Sequence, residues 1–160
     1  MPLFDASSLI YAWDNYPESQ FPAVWEWIAR QFLSGEFVLP TIAHEEVGHK
    51  SPECVDWLKA QGVTSLAIDN QVVQEAMRIK DLLGIDDERY SPKGVDENDL
   101  FIIAAAKIKG LELVSEEARQ ANLPLTSANW KIPAVCTLDT VTVSCLNFIE
   151  LIKESDVVFR

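Results

Sequence analysis

Acidic residues recur in this sequence where short apolar runs end or helical patterns begin. The set comprises Asp5, Glu46, Asp99, Glu116 and Glu117. Carboxylates that gather at one place repel each other, and at neutral pH they stay ionised only beside a compensating cation. Oxygen ligands without Cys or His suit Mg²⁺ or Mn²⁺. Such ions stabilise the charge of a phosphoryl transition state and lower the pKa of an attacking water. These residues would therefore support phosphoryl chemistry if the fold brings them together.

Each acid also has a purely structural interpretation. Asp96 and Asp99 have the spacing of a helix N-cap and its capping-box partner. Glu116 and Glu117 fit a first helical turn, where acidic side chains favour the helix dipole. Asp5 is different, because an acid that closes an apolar strand is desolvated and needs a partner. The functional interpretation depends on whether one edge of the fold holds all of these acids.

The elements that would position the acids alternate in type along the chain. Strands are predicted at 2–5, 37–40, 63–68, 111–114 and 141–143. Helices are predicted at 7–13, 21–33, 42–49, 54–61, 71–83, 96–109, from Ser115 onward, and at 148–153. This alternation predicts an α/β fold, a three-layer α/β/α sandwich around a mostly parallel sheet. Ligands in such folds bind outside the carboxyl ends of the strands. A parallel sheet would place the acids at this edge.

Size and composition agree with one domain over residues 1–160. The chain is 48% hydrophobic and 24% charged, the mixture of a globular protein with its own core. The longest apolar run, 100–106, is far shorter than the roughly 20 residues of a membrane span. No Lys or Arg precedes Asp5, so a signal peptide is not expected and the predicted location is cytoplasmic. Three cysteines at no metal-ligand spacing predict reduced thiols and no zinc site.

The charge balance argues against a protein that attracts polyanions over its whole surface. The formal net charge is −12 and the pI is about 4.5. Any binding of nucleic acid must therefore rely on local basic residues or on a partner. Arg89, Lys93 and Lys107 flank the acidic helix start and are candidates, although solvated surface charges are the simpler interpretation.

Two further patterns invite a functional interpretation. His44 and His49 surround two glutamates, but a spacing of five residues puts them about 140° apart on a helix, unlike a zinc protease motif. The tryptophans could stack on bases. Helical patterning instead predicts Trp25, Trp27 and Trp57 in the core or an interface, and leaves Trp13 and Trp130 open.

Four segments in order resemble the motifs of PIN-domain ribonucleases. They are Leu-Phe-Asp-Ala-Ser-Ser-Leu-Ile at 3–10, Pro-Thr-Ile-Ala-His-Glu-Glu-Val at 40–47, Asp-Leu-Phe-Ile-Ile-Ala-Ala-Ala at 99–106, and Val-Ser-Glu-Glu at 114–117. The tail from Trp130 is similar to that of one uncharacterised PIN-like subfamily, often the toxin of a toxin–antitoxin pair. The resemblance extends from Leu3 to about Glu154.

The resemblance implies a role for each matching residue. Asp5, Glu46 and Asp99 would bind metal, with Glu117 or its neighbour Glu116 as the fourth acid. The implied supporting residues are Ser7, Asp96 and Ser115. The implied activity is Mg²⁺- or Mn²⁺-dependent hydrolysis of RNA phosphodiesters. RNA is the implied substrate, and an antitoxin protein and a second copy of the chain are the implied partners.

The sequence departs from the family pattern in two ways, and two alternatives follow. Glu stands where the fourth motif usually carries Asp, and the net charge is unusually negative for an RNA-binding enzyme.

The first alternative is a catalytically inactive PIN-like module that binds protein. The second is a receiver-like phospho-acceptor with Ser115 after the fourth strand. Receivers carry adjacent acids after the first strand, whereas Ala6 follows Asp5 here. They also carry a Lys after the fifth strand, whereas here no Lys follows 141–143 before Lys153.

Overall fold

A parallel three-stranded sheet forms the centre of the computed structural model, which describes residues 1–160. Its strands are β1 (Pro2–Phe4), β2 (Glu112–Val114) and β3 (Cys145–Leu146), adjacent in that order. Leu3 pairs with Leu113, and Leu113 pairs with Cys145. The prediction of an α/β fold with a parallel sheet is confirmed.

Eight α-helices surround the sheet. They are α1 (Ala6–Asn15), α2 (Pro22–Leu33), α3 (Thr41–Lys50), α4 (Pro52–Ala60), α5 (Asn70–Leu82), α6 (Glu97–Lys109), α7 (Ile132–Cys136) and α8 (Phe148–Ser155). All except α7 were expected from the sequence, within a few residues at each end. α7 spans barely more than one turn, which is too short for a periodic pattern. None of the helices combines the length and the apolarity needed to cross a lipid bilayer.

Both faces of the sheet are covered. Neighbouring residues of a strand point to opposite faces, yet Leu3 and Phe4 are both fully buried, as are Leu113 and Val114. A single cluster of 38 buried apolar residues runs through the molecule. The arrangement is therefore three-layered, with helices packed above and below short apolar strands.

Two predicted strands are reduced to single bridges. Val38 bridges Leu3, and Leu66 bridges Pro40, both in parallel orientation. Pro40 has no N–H to continue a ladder, and α3 begins directly after it. These segments still extend the sheet beyond β1. Across the sheet the order is the segment at Leu66, the segment at Val38, β1, β2 and β3.

The last predicted strand, at 141–143, is wrong, because the chain turns there. Thr142 has a left-handed backbone with φ of 52°, and its hydroxyl donates to the Asp139 carbonyl at 2.8 Å. A residue in this conformation cannot continue a strand. The strand forms slightly later, as β3, and Asn147 then caps α8 through a capping box with Glu150.

The helix predicted from Ser115 is also wrong, and the reason concerns the site. The backbone N–H of Glu116 donates to the Ser7 hydroxyl at 2.9 Å, and that of Glu117 donates to the Ser115 hydroxyl at 3.2 Å. Hydroxyl acceptors thus bind the N–H groups, so this segment stays in an irregular loop after β2.

The loop that leads into α6 depends on Gly94. A Cβ added there would lie 2.0 Å from the carbonyl oxygen of Ala128, and Val95 next to it donates to the Trp130 carbonyl at 2.9 Å. We expect Gly94→Ala to lower the free energy of unfolding by about 2 to 3 kcal/mol, measured by urea denaturation. Gly48→Ala is the matched control, because its Cβ would meet Val55 at an ordinary 3.6 Å. It should stabilise α3 by about 0.5 to 1 kcal/mol, and equal destabilisation by both variants would contradict this account.

Candidate active site

The candidate site lies where the carboxyl ends of β1 and β2 meet. Asp5 follows β1 and donates its backbone N–H to the carbonyl of Val114 at 2.9 Å, which fixes it beside the end of β2. The Ser8 hydroxyl strengthens the same junction through bonds to the carbonyls of Asp5 and Val114, at 2.7 and 3.1 Å. Asp5 is only 3% exposed. The sequence prediction of a desolvated acid at this strand end is confirmed.

Two hydroxyls hold the Asp5 carboxylate by one of its oxygens. Ser7 donates to Oδ2 at 2.5 Å and Ser115 donates to the same atom at 3.0 Å. The two hydroxyl oxygens are themselves 3.3 Å apart. Oδ1 accepts no hydrogen bond from the protein. The carboxylate is thus oriented through Oδ2, and Oδ1 is left for a ligand.

Burial makes the charged form of Asp5 costly. Desolvation raises the pKa of Asp5 from 3.8 to about 6. The hydroxyls of Ser7 and Ser115 act in the opposite direction, because hydrogen bonds to a carboxylate favour its ionised form. The negative charges of Glu46 and Glu117 raise the pKa further, which places both acids in the electrostatic field of Asp5.

Asp99 lies at the start of α6, whose opposite end leads through Gly110 into β2. The N-terminus of α6 therefore reaches the same edge of the sheet. Asp96 caps the helix and receives the Asp99 N–H at 2.8 Å, while Asp99 Oδ2 accepts the Asp96 N–H at 3.0 Å. This is the capping box that the spacing predicts.

The electrostatics of Asp99 connect it to the other acids. The pKa of Asp99 is raised to about 8, and desolvation is the largest cause. The negative charge of Asp96 raises this pKa further, and the charges of Asp5 and Glu117 do so more weakly. A residue that only capped a helix would have its pKa lowered by the helix dipole. Asp99 is thus both a capping residue and a member of the acidic cluster.

Glu46 and Glu117 complete the cluster, and each is accompanied by a lysine. Lys50 donates to Glu46 Oε1 at 2.8 Å, one turn along α3. Lys131 Nζ lies 3.9 Å from Glu117 Oε2. In both glutamates the other carboxylate oxygen accepts no hydrogen bond from the protein, and the same holds for Asp99 Oδ1. Each of the four acids therefore keeps one oxygen for an external ligand.

Glu116 is directed elsewhere. Its Oε1 accepts the backbone N–H of Phe148 at 2.5 Å, at the start of α8. Burial raises the pKa of Glu116, and the charges that act on it are those of Arg119 and Glu150 rather than those of the cluster. Of the two candidates for the fourth acid, Glu117 is the one whose charge acts on Asp5 and Asp99.

The oxygen ligands of these acids suit a hard divalent ion, although the side chains do not converge on one point. No three Asp, Glu, His or Cys side chains stand close enough together to hold a metal as they are placed. The cluster nevertheless offers carboxylate oxygens without sulfur or imidazole, the chemistry that Mg²⁺ and Mn²⁺ prefer. Asp5, Glu46, Asp99 and Glu117 would hold the ion, through the oxygens that the protein leaves without donors.

The fourth acid can be identified by substitution. We expect Glu117→Gln to reduce the rise in melting temperature that Mn²⁺ gives the folded protein by at least half, because a ligand charge is lost. Glu116→Gln keeps the acceptor for Phe148 and should leave that rise unchanged. Thermal unfolding of both variants with EDTA and with millimolar Mn²⁺ measures the difference. The reverse result would assign the role to Glu116.

The tryptophans do not join the site. Trp25 and Trp27 are buried, as predicted, and Trp57 packs on Trp25 with ring centroids 5.1 Å apart. Trp13 meets Trp25 edge-on at 5.0 Å, and Trp130 donates its indole N–H to the Pro124 carbonyl. Trp13 and Trp130, which the sequence left open, therefore both make contacts within the protein.

Comparison with other proteins assigns the chain to a family. A family model described as a domain of unknown function (DUF4411) matches residues 3–159. The chain belongs to this family. No curated protein matches the sequence. The description of this family names no activity.

Two solved structures share the fold across nearly the whole chain. The structure of DNA-bound VapBC from Salmonella typhimurium aligns with a TM-score of 0.55 and 15% identity, covering 91% of this chain and 96% of the other. VapBC2 from Rickettsia felis, bound to a fragment of its promoter DNA, gives 0.53 and 12%, covering 92% and 98%. These complexes contain a chain with the PIN-like fold. The fold is therefore PIN-like, as the sequence motifs indicate.

Proposed function

We propose that the protein is a divalent-metal-dependent ribonuclease that hydrolyses RNA phosphodiesters. The observation that carries the proposal is the acidic cluster of Asp5, Glu46, Asp99 and Glu117. Its central carboxylate is buried at the end of β1, and each member keeps one oxygen free of protein donors. A buried carboxyl whose pKa is raised by burial and by neighbouring acids, as in Asp5, is costly to keep without a function.

The chain's own residues prepare the site in a definite way. Ser7 and Ser115 fix the orientation of Asp5. The capping box holds Asp99 at the start of α6. A bound divalent ion would supply charge neutralisation at the phosphate and lower the pKa of the attacking water. The substrate would bind outside the carboxyl ends of β1 and β2, where Asp5 lies.

The shared fold also supports proposals about partners and location. The two solved structures are VapBC complexes, and we propose an antitoxin-like protein as a partner of this chain. We further propose a single domain over residues 1–160, a cytoplasmic location, and a second copy of the chain as an additional partner. Size-exclusion chromatography with light scattering tests the last proposal.

A catalytically inactive module that binds protein is the second candidate. The specific observation in its favour is that no three acidic side chains stand close enough to hold a metal ion. The net charge of −12 also opposes the approach of RNA. This candidate predicts that Mn²⁺ neither binds the protein nor changes its melting temperature.

The experiment that separates these functions is incubation of purified protein with end-labelled RNA and with DNA of the same sequence. We expect cleavage of RNA with Mn²⁺ or Mg²⁺ and none with EDTA. Cleavage that persists in EDTA would remove the metal from the mechanism. Intact RNA in every metal would favour the protein-binding module.

A further inference from the structure

The lysines beside the acidic cluster explain how so acidic a protein can bind RNA. We infer that Lys50 and Lys131 are internal counter-cations of the metal-free site, which a divalent ion displaces and which then bind the RNA backbone on either side of it. The inference rests on the proposed function and adds two substrate-binding residues to it. It also predicts that metal and lysine compete.

The two lysines reach the acidic cluster through partners on different elements. The segment that leads to α3 lies on one side of β1, and β2 lies on the other. Lys50 contacts Glu46 of α3, and Lys131 approaches Glu117 in the loop after β2. The glutamate partners of the two lysines therefore follow the strand segments that neighbour β1 on its two sides. A strand of RNA bound at this edge of the sheet would come within reach of both lysines.

The positive charge of Lys50 acts on more than its direct partner. It interacts electrostatically with Glu117 and Asp5 as well as with Glu46. Its charge thus acts on the cluster as well as on Glu46, which lies one turn earlier in its own helix. In the metal-free protein it partly compensates three of the four carboxylates.

The contacts are easily exchanged. The side chain of Lys50 is 63% exposed, and exposed lysine–glutamate pairs contribute little to stability. Lys131 and Glu117 are each about one third exposed and remain 3.9 Å apart. A divalent ion on the glutamates would remove the attraction for the lysines. Their flexible four-carbon stems would let the ammonium groups turn toward phosphate oxygens.

The basic residues that the sequence suggested for this task are less suited to it. Lys107 donates to the Val141 carbonyl at 2.8 Å, away from the acids. Arg89 lies in the loop before α6 and shows no contact with the cluster. Lys50 and Lys131 are the lysines that form ion pairs with members of the cluster.

Substitution of the lysines by methionine tests the inference. Lys50→Met and Lys131→Met should each bind Mn²⁺ about threefold to fivefold more tightly by isothermal titration calorimetry, because an exposed charge no longer competes. The same variants should raise the KM for single-stranded RNA severalfold. The slope of log KM against log salt should fall by about 0.7 for each lost phosphate contact.

Two further variants serve as controls. Lys109→Met removes the lysine of another exposed ion pair, with Asp69 at 3.2 Å, at the opposite end of α6. It should change neither Mn²⁺ affinity nor KM. Lys50→Arg keeps the charge and should retain the RNA affinity of the wild type. With EDTA, RNA affinity measured by fluorescence anisotropy should be weak and equal in the wild type and Lys50→Met, because the acids hold the lysine.

The outcomes separate this inference from the proposed function. Unchanged or weaker Mn²⁺ binding in Lys50→Met and Lys131→Met would overturn it, as would RNA binding indistinguishable from that of Lys109→Met. If the wild type leaves RNA intact in Mn²⁺, the proposed activity fails. The anisotropy Kd in Mn²⁺ then replaces KM, and the same comparison of variants decides the role of the lysines.

Discussion

Asp5→Asn should be more stable than the wild type without metal and should lose its response to Mn²⁺. Asparagine keeps an oxygen for the hydroxyls of Ser7 and Ser115 but removes a charge that burial disfavours. The pKa of Asp5, raised from 3.8 to about 6, corresponds to about 3 kcal/mol. At pH 8 we therefore expect a gain of about 2 to 3 kcal/mol in the free energy of unfolding with EDTA.

The response to metal should change in the opposite direction. For the wild type, an Mn²⁺ concentration about 100 times the Kd stabilises the fold by about 2.7 kcal/mol. In a chain of this size that raises the melting temperature by roughly 5 to 10 °C. Asp5→Asn should show almost none of this rise. Glu45→Gln, an exposed neighbour of Glu46, is the control and should behave as wild type. Equal rises in Asp5→Asn and the wild type would show that Asp5 holds no ion.

The stability of the metal-free protein should fall as the pH rises from about 4 to about 8. Asp5 and Asp99 have folded pKa values near 6 and 8, both above the unfolded value of 3.8. Each therefore favours the folded state below pH 3.8, where it is protonated in both states, and this advantage is lost as the pH passes through the folded pKa. The loss from Asp5 alone is about 3 kcal/mol.

Urea denaturation in EDTA at intervals from pH 4 to pH 9 measures this profile. Asp69 and Glu150 limit stability on the acid side, because their pKa values are lowered by hydrogen bonds to N–H groups and to lysine or arginine. Millimolar Mn²⁺ should flatten the decline above pH 6, since the ion takes the place of the protons. A metal-free protein whose stability rises between pH 5 and pH 8 would contradict the raised pKa values of Asp5 and Asp99.

Local patterns predicted much of the fold and part of the site. The spacing of Asp96 and Asp99 predicted a capping box, which is a contact between near neighbours in sequence. Apolar runs located β1 and β2, and the desolvation of Asp5 followed from its position at a strand end. Residues of this kind are determined by a few neighbours along the chain, so the sequence alone is enough.

The errors arose where distant residues decide the local structure. Ser115 does not begin a helix because the hydroxyls of Ser7 and Ser115 bind the nearby N–H groups, and Ser7 is far away in sequence. The choice between Glu116 and Glu117 also depended on a distant contact, that of Glu116 with Phe148. Such contacts exist only once the strands are paired.

The two lysines illustrate the same division. Lys50 stands four residues after Glu46, a spacing at which opposite charges meet on a helix, so the pair could have been recognised from the sequence. Lys131 meets Glu117 only through the irregular segment between β2 and α7. No periodic pattern relates those two residues, and their proximity required the structure.

The central claim is that the cluster around Asp5 hydrolyses RNA with the help of a divalent ion. Its most direct test is the single-turnover rate of RNA cleavage by wild type and Asp5→Asn, purified side by side and assayed in the same Mn²⁺ buffer. Loss of a metal-ligating charge at the reacting centre should slow cleavage by at least about a hundredfold. We expect this slower cleavage in Asp5→Asn, and Glu45→Gln should be as active as the wild type. Equal cleavage by the wild type and Asp5→Asn would contradict it and assign the activity to another site or to a contaminant.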